Sequence, residues 1–218
     1  MGRRPQPEIR QRLLEACTDH ALAHGLPDRL EAFATAVGTS SRMLVYHFGT
    51  RDGLLREVLV AARARQVADF TGLLTLRPDE DYLDTLARAW KAISGAQGRP
   101  YLRIFSPLHD TAGAPHWPDF RREATTDWLA PLEQGMATTG HPGLGSVVLA
   151  VVRGLLMDLD ATGDHMRVDA AFTDFLATVR AASSQTAAPT RRSDSSQRRR
   201  ASSSSYAAGA VRATAYLS

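Results

Sequence analysis

Lysine is almost missing from this chain: Lys91 stands alone among 26 basic residues, and the rest are arginine. Cysteine is as scarce. The single Cys17 excludes an intrachain disulfide and points to a reducing compartment, the cytoplasm. Long apolar runs are missing too. The longest, Val147 to Val152, stops at Arg153 and Gly154, well short of the roughly 18–20 residues of a membrane-spanning helix, so no membrane partner is expected. No hydrophobic segment of signal-peptide type follows the basic N-terminus. Alternating apolar and polar residues persist nowhere, which excludes a fold built on sheets. A phosphate-binding glycine loop, a nucleophile elbow and a metal-ligand cluster are also lacking, so the chain is expected to be no enzyme and to carry no cofactor.

What is present is an ordinary apolar fraction, 44% against 22% charged, enough for a sizeable core. The net charge of +3 hides an asymmetry. Residues 1–68 carry ten arginines against seven acids, residues 69–182 ten basic against fifteen acidic groups, and residues 183–218 six arginines against one aspartate. A basic head on an acidic body suggests that the head alone meets a polyanion.

Helical spacing recurs throughout and predicts an all-α fold. A first helix covers about Glu8 to Ala23, with Ile9, Leu13, Ala16, Cys17 and Ala21 on one stripe and Gly25 as its left-handed cap. Asp28 with Glu31 reads as a capping-box start for a second helix that runs to Val37. Gly38 ends that helix, and a third follows Thr39 and Ser40 to about His47. Thr50 caps a longer fourth, Arg51 to Leu74. Body helices are expected near Asp81–Gly95, Pro100–Thr111, Asp119–Thr139, Leu144–Thr162 and Val168–Ala182. From Ser183 the composition turns to serine, alanine and arginine, including Arg198 to Arg200, and a disordered tail is expected. The expected division is a head over 1–50, a body over 51–182 and a tail over 183–218.

The segment Leu30 to His47 (LEAFATAVGTSSRMLVYH) carries the most specific signal. Two short helices meet at Gly38, where a tight interhelical turn needs positive φ. Leu30, Phe33, Ala34, Val37, Leu44 and Phe48 would pack inward. Ser41, Arg42, Met43, Val45, Tyr46 and His47 are left on or near the outer face of a helix short enough to enter a major groove. The stretch IRQRLLEACTDHALAHG and then FATAVGTSSRMLVYHFGTRDGLL, Arg10 to Leu55 in all, resembles the DNA-binding head of the tetracycline-repressor (TetR) family. RGLLMDLDATGDHMRVDAAFTDFL, from Arg153 to Leu176, is similar to the last two body helices of such regulators.

The resemblance implies a homodimer whose two helix-turn-helix heads bind a palindromic double-stranded DNA operator and release it when a small-molecule effector binds the body. On that pattern Arg42 and Met43 face base edges, Tyr46 and His47 hold phosphates or sugars, and Arg51 replaces the family's usual lysine on a phosphate. Thr39, Ser40 and Ser41 join them at the helix N-terminus. Val45 stands where a tyrosine is usual, and Thr39 where a valine is. Trp90, Tyr101, Phe105, His109, Trp117, Trp128, Met157 and Asp158 are candidates to line the effector pocket, although most such residues in a helical body are simply core. Val147, Val151, Leu155, Phe172, Phe175 and Val179 recur at helical spacing and suit a four-helix dimer interface; an intrachain core face is the other reading. His20 and His24 share a helix face but lack a third ligand, so no metal is expected. The alternative function is a helical small-molecule carrier or enzyme with a vestigial head, which would bind ligand tightly and DNA not at all.

Overall fold

The computed structural model describes residues 7–109 and 117–187. The described residues form α-helices and short 3₁₀ turns, with no strand among them. We number the α-helices α1 (Pro7–His24), α2 (Leu30–Ala36), α3 (Ser41–Phe48), α4 (Arg51–Thr71), α5 (Tyr82–Ser94), α6 (Arg99–Phe105), α7 (Phe120–Ala137), α8 (Gly145–Thr162) and α9 (His165–Ala187). No helix among the described residues is long and apolar enough to cross a membrane.

The first four helices close on a core in which Cys17 and Ala21 of α1, Phe33 of α2, Leu44 of α3 and Leu54, Val58 and Leu59 of α4 are sealed from water. The same apolar cluster continues without a break along α4 to Phe70 and into α6 and α7 through Tyr101, Ile104, Phe105 and Ala124. Phe70 meets the Tyr101 ring edge-on at 5.5 Å. A second cluster joins α5, α7, α8 and α9 around Tyr82, Trp90, Met136, Val148 and Phe172. Trp90 of α5 stacks on Phe172 of α9, centroids 4.7 Å apart, and its indole N–H donates to Asp169 at 2.7 Å.

Several element ends differ from the sequence expectation, each for a local reason. Asp28 does not cap α2. Arg29 occupies that position in an extended conformation with no side-chain cap, while the Pro27 carbonyl just before it accepts from Arg51 at 3.2 Å. The helix expected over Pro100–Thr111 stops at Phe105 and gives way to a 3₁₀ turn, Ser106–His109. Pro107 lacks the N–H that an α-helix would use to continue past Ser106, which itself keeps helical backbone angles. Helix α4 likewise tightens to a 3₁₀ turn over Gly72–Leu74. Helix α9 starts at His165 and runs to Ala187, past the composition change at Ser183, so the first residues assigned to the tail are helical. Residues 188–218 lie outside the described part. Thr50 caps α4 as expected, accepting from the Gly53 N–H at 2.9 Å.

Helix α7 approaches α5 at Gly135, where a Cβ would fall inside the ring of Tyr82. Tyr82 is 1% exposed and donates from its hydroxyl to the Pro131 carbonyl at 3.3 Å, so the ring has nowhere to retreat. Gly135→Ala is therefore expected to lose about 1–3 kcal/mol of stability through overpacking. Gly72→Ala, at a helical φ of −63° with nothing near its missing Cβ, should be neutral or slightly stabilising. Chemical denaturation of the two variants side by side checks the contrast.

Candidate functional site

The turn between α2 and α3 is made by Gly38 at φ +67°, a conformation an L side chain resists. Thr39 donates its N–H back to Ala34 at 2.9 Å, and the Ser40 hydroxyl caps α3 by accepting from the Met43 N–H at 3.3 Å. Helix α3 then turns Leu44, His47 and Phe48 inward and leaves Arg42, Met43, Val45 and Tyr46 in solvent. Met43 and Val45 are each 41% exposed and Tyr46 47%, an unusual display for such side chains on one short helix. Ser40 is exposed, whereas Ser41 and Thr39 are partly buried at the helix entrance.

Two of the expected contacts stand differently. His47 is only 8% exposed and lies between the rings of Tyr46 and Phe48, because residues 44, 47 and 48 share one face of the helix. Its Nδ1 has no hydrogen-bond partner, and it is not presented to a phosphate in this conformation. Arg51 is partly exposed, but its guanidinium is held by the chain itself, donating to the Pro27 carbonyl and to Asp52, both at 3.2 Å.

A residue that the sequence reading passed over fixes α3 in place. Arg10 of α1 donates from Nε to the His47 carbonyl at 3.1 Å, pairs with Glu57 of α4 at 2.5 Å, and lies over the Phe48 ring at 4.9 Å. One side chain thus ties the end of α3 to α1 and α4 together. The only sequence signal was an arginine on the polar side of α1, which has many innocent explanations.

In the body, a cavity of about 160 Å³ lies between α4, α6, α7 and α8. Tyr101, Phe105, Trp128 and Met157 line it, four of the residues singled out from the sequence. Trp90 does not line it; it is committed to the α5–α9 contact. Trp117 is buried elsewhere, its indole donating to Glu123 at 2.9 Å. Asp158 does not line the cavity either, because Arg167 grips it through two bonds of 2.6 Å, a pairing that holds its carboxyl below the usual range. The side chain of His109 lies outside the described residues.

The polar part of the cavity comes from residues not anticipated: Arg63 and Gln66 of α4 and Arg153 of α8. Arg63 is 7% exposed and fully engaged, donating to Asp127 at 2.7 Å and to Gln66 at 2.5 Å, with its guanidinium 5.1 Å from the Trp128 ring centroid. Burial, with the carboxylate of Asp69 accepting its hydroxyl at 2.5 Å, pushes the Tyr101 phenol well above its ordinary range, so it remains a neutral donor. Arg153 was legible in one respect, since it interrupts the longest apolar run of the chain.

Of the residues proposed for a dimer face, Val147 is 43% exposed, and Val151, Leu155 and Phe175 are partly buried. Phe172 and Val179 are not on that face. At 2% and 6% exposure they belong to the core between α5 and α9, since residues 168, 172, 176 and 179 form the inward stripe of α9.

No family model and no curated protein sequence matches this chain. Solved structures do. A transcriptional regulator from Rhodococcus sp. RHA1 superposes with a TM-score of 0.61 at 18% identity, covering 79% of this chain and 96% of that one. The multidrug binding protein EbrR, complexed with imidazole, gives 0.51 at 24% identity, with 80% and 93% covered. A candidate transcriptional regulator from Saccharomonospora viridis, in complex with choline, gives 0.53 at 19% identity, with 78% and 96% covered. The fold is that of transcriptional regulators. Its elements are a helix-turn-helix head and an all-helical body.

The Arg10 clamp makes a prediction independent of any ligand. Arg10→Ala should cost about 1 kcal/mol of global stability, since the ion pair is partly exposed and mainly the carbonyl hydrogen bond is lost. Its larger effect is local: hydrogen exchange at α3 amides should accelerate more than at α2 amides, and Arg10→Lys should not restore it, because an ammonium lacks the fork that spans both acceptors.

Proposed function

We propose that this protein is a ligand-responsive transcriptional repressor of the TetR type, acting in the cytoplasm and binding a palindromic operator as a homodimer. The observation that carries the reading is the exposed face of α3. A short helix with a capped N-terminus presents Arg42, Met43, Val45 and Tyr46 outward while Leu44 and Phe48 anchor it, the form of a helix that enters a major groove. Arg42 reads a base edge, Met43 makes an apolar contact beside it, and Tyr46 with Thr39, Ser40 and Ser41 meets the sugar-phosphate backbone. Arg51 reaches a phosphate by exchanging its contact with Asp52, and His47 positions α3 from below. The described residues up to 50 belong to the DNA-binding head, and residues 51–182 to the sensing and dimerising body.

The body's role follows from two elements that touch both regions. Helix α4 packs into the head through Leu54, Leu55, Val58 and Leu59 and reaches the cavity with Arg63 and Gln66. Helix α6 faces the cavity with Tyr101 and Phe105, while its Arg103 donates to the Ala23 carbonyl near the end of α1. An effector that prefers one spacing of α4 and α6 over another biases the angle of the heads, and it shifts DNA binding only by that difference in affinity. Small molecules bound to EbrR and to the Saccharomonospora protein support a sensing body on this fold. The exposed Val147, with the half-covered Val151 and Leu155 on the same helix and Phe175 on α9, supplies apolar surface for a second copy, although those three also pack against the body core.

Selection of bound duplexes from a random pool should recover a palindrome whose half-sites lie about one helical turn apart. On that duplex Arg42→Ala should lose about 1–3 kcal/mol of affinity and relax preference at one base pair per half-site, with nonspecific binding little changed. Equal losses on selected and random DNA, read by fluorescence anisotropy at matched salt, would remove Arg42 from base readout. Failure to enrich any sequence would favour the carrier reading.

A further inference from the structure

The cavity between α4, α6, α7 and α8 has an electrostatic asymmetry. Among the described residues two guanidinium groups line it and no carboxylate does. The two are not equivalent. Arg63 is satisfied by Asp127 and Gln66. Arg153, partly buried on α8, makes no hydrogen bond or ion pair with any described residue. Burial first, and then the neighbouring positive charge of Arg63, both weigh against its charged form. A cation partly withdrawn from water, close to a second cation and with no carboxylate of its own, is held at some cost to the folded chain. A bound anion would remove it.

The rest of the lining fixes what accompanies the anion. Phe105, Leu149 and Leu156 are apolar, and Tyr101 offers a ring whose hydroxyl is already spent on Asp69. At about 160 Å³ the space suits a body of single-ring size, since an apolar cavity of about 150 Å³ accommodates benzene. A cationic ligand would sit beside two guanidinium groups, a repulsion that the Tyr101 and Phe105 rings alone would not offset. The Trp128 face is already covered by Arg63, and Asp127 and Asp69 are both engaged by the chain.

We infer that the effector is a small organic acid, a carboxylate on a single apolar ring or a body of similar size, held by a charge-assisted pair with Arg153. This rests on the ligand-responsive reading above and sets this protein apart from the choline complex on the same fold.

Calorimetric titration of the full-length protein with three probes tests it: phenylacetate, its uncharged isostere phenylacetamide, and benzyltrimethylammonium. The acid should bind at least about tenfold more tightly than the amide, the ratio a charge-assisted hydrogen bond provides. The ammonium should bind weakest. Arg153→Met should bring acid and amide to within about twofold of each other, with Arg153→Gln as a second variant of different shape. Neither variant should melt below the wild type, because each removes an uncompensated charge. Equal affinity for acid and amide, tighter binding of the ammonium, no binding of phenylacetate, or a marked fall in the melting temperature of both variants would each overturn the inference. Displacement of the selected duplex is read separately by anisotropy. Acid binding through Arg153 with no effect on DNA would leave the anion site standing and remove the ligand-responsive reading instead.

Discussion

Helix α4 has to be packed on two sides of the molecule at once. Its first turns supply Leu54, Leu55, Val58 and Leu59 to the head, each worth about 1.5–3 kcal/mol when withdrawn from water. Farther along, Ala62, Arg63 and Phe70 belong to the contact with α6 and α7. Because the helix is continuous from Arg51 to Thr71, its two ends cannot adopt independent positions. One apolar cluster therefore runs from beneath α3 to the wall of the cavity, and the placement of α3, the caps around it and the link to the body all presuppose that unbroken helix.

Arginine does most of the stitching over this frame. Arg10 joins α1 to α3 and α4; Arg88 spans Glu80 and the Leu73 carbonyl; Arg180 reaches both Asp81 and Asp84; Arg167 grips both oxygens of Asp158. Each bridge is partly exposed, and such pairs contribute little to global stability. Their value is positional: a planar fork meets two acceptors at fixed angles, which a lysine ammonium does not. Arg153 departs from this pattern, because nothing among the described residues engages its fork.

The all-α architecture and the helix-turn-helix could be read from the sequence because both rest on short-range rules. Apolar residues at helical spacing, Gly38 at the turn, and Ser40 and Thr50 as caps require no knowledge of what lies across the fold. The structure departs from these rules mainly where a neighbour distant in sequence decides the outcome. Asp28 has no capping role in a loop held by Arg51; His47 is a local exception, since it shares the buried stripe of Leu44 and Phe48 on its own helix. Phe172 and Val179 fit a dimer face by spacing, but Trp90, 82 positions before Phe172, claims the same surface. Aromatic content picked out Tyr101, Phe105 and Trp128 as cavity residues, yet it could not reveal the arginines among them, because a charged residue on an apolar stripe looks like a surface residue until the opposing helix is in view.

Cys17 sits at 0% exposure beneath α1, and burial pushes its thiol up to about 11. In the closed head it is both unreachable and unreactive. As the chain holds no other cysteine, the rate at which a thiol-specific reagent labels the native protein counts the openings of the head. Under conditions where reclosing outpaces labelling, that rate gives the free energy of the opening itself. The protein thus carries its own clock for how firmly the head is held, wound by a residue that takes no part in what the head does.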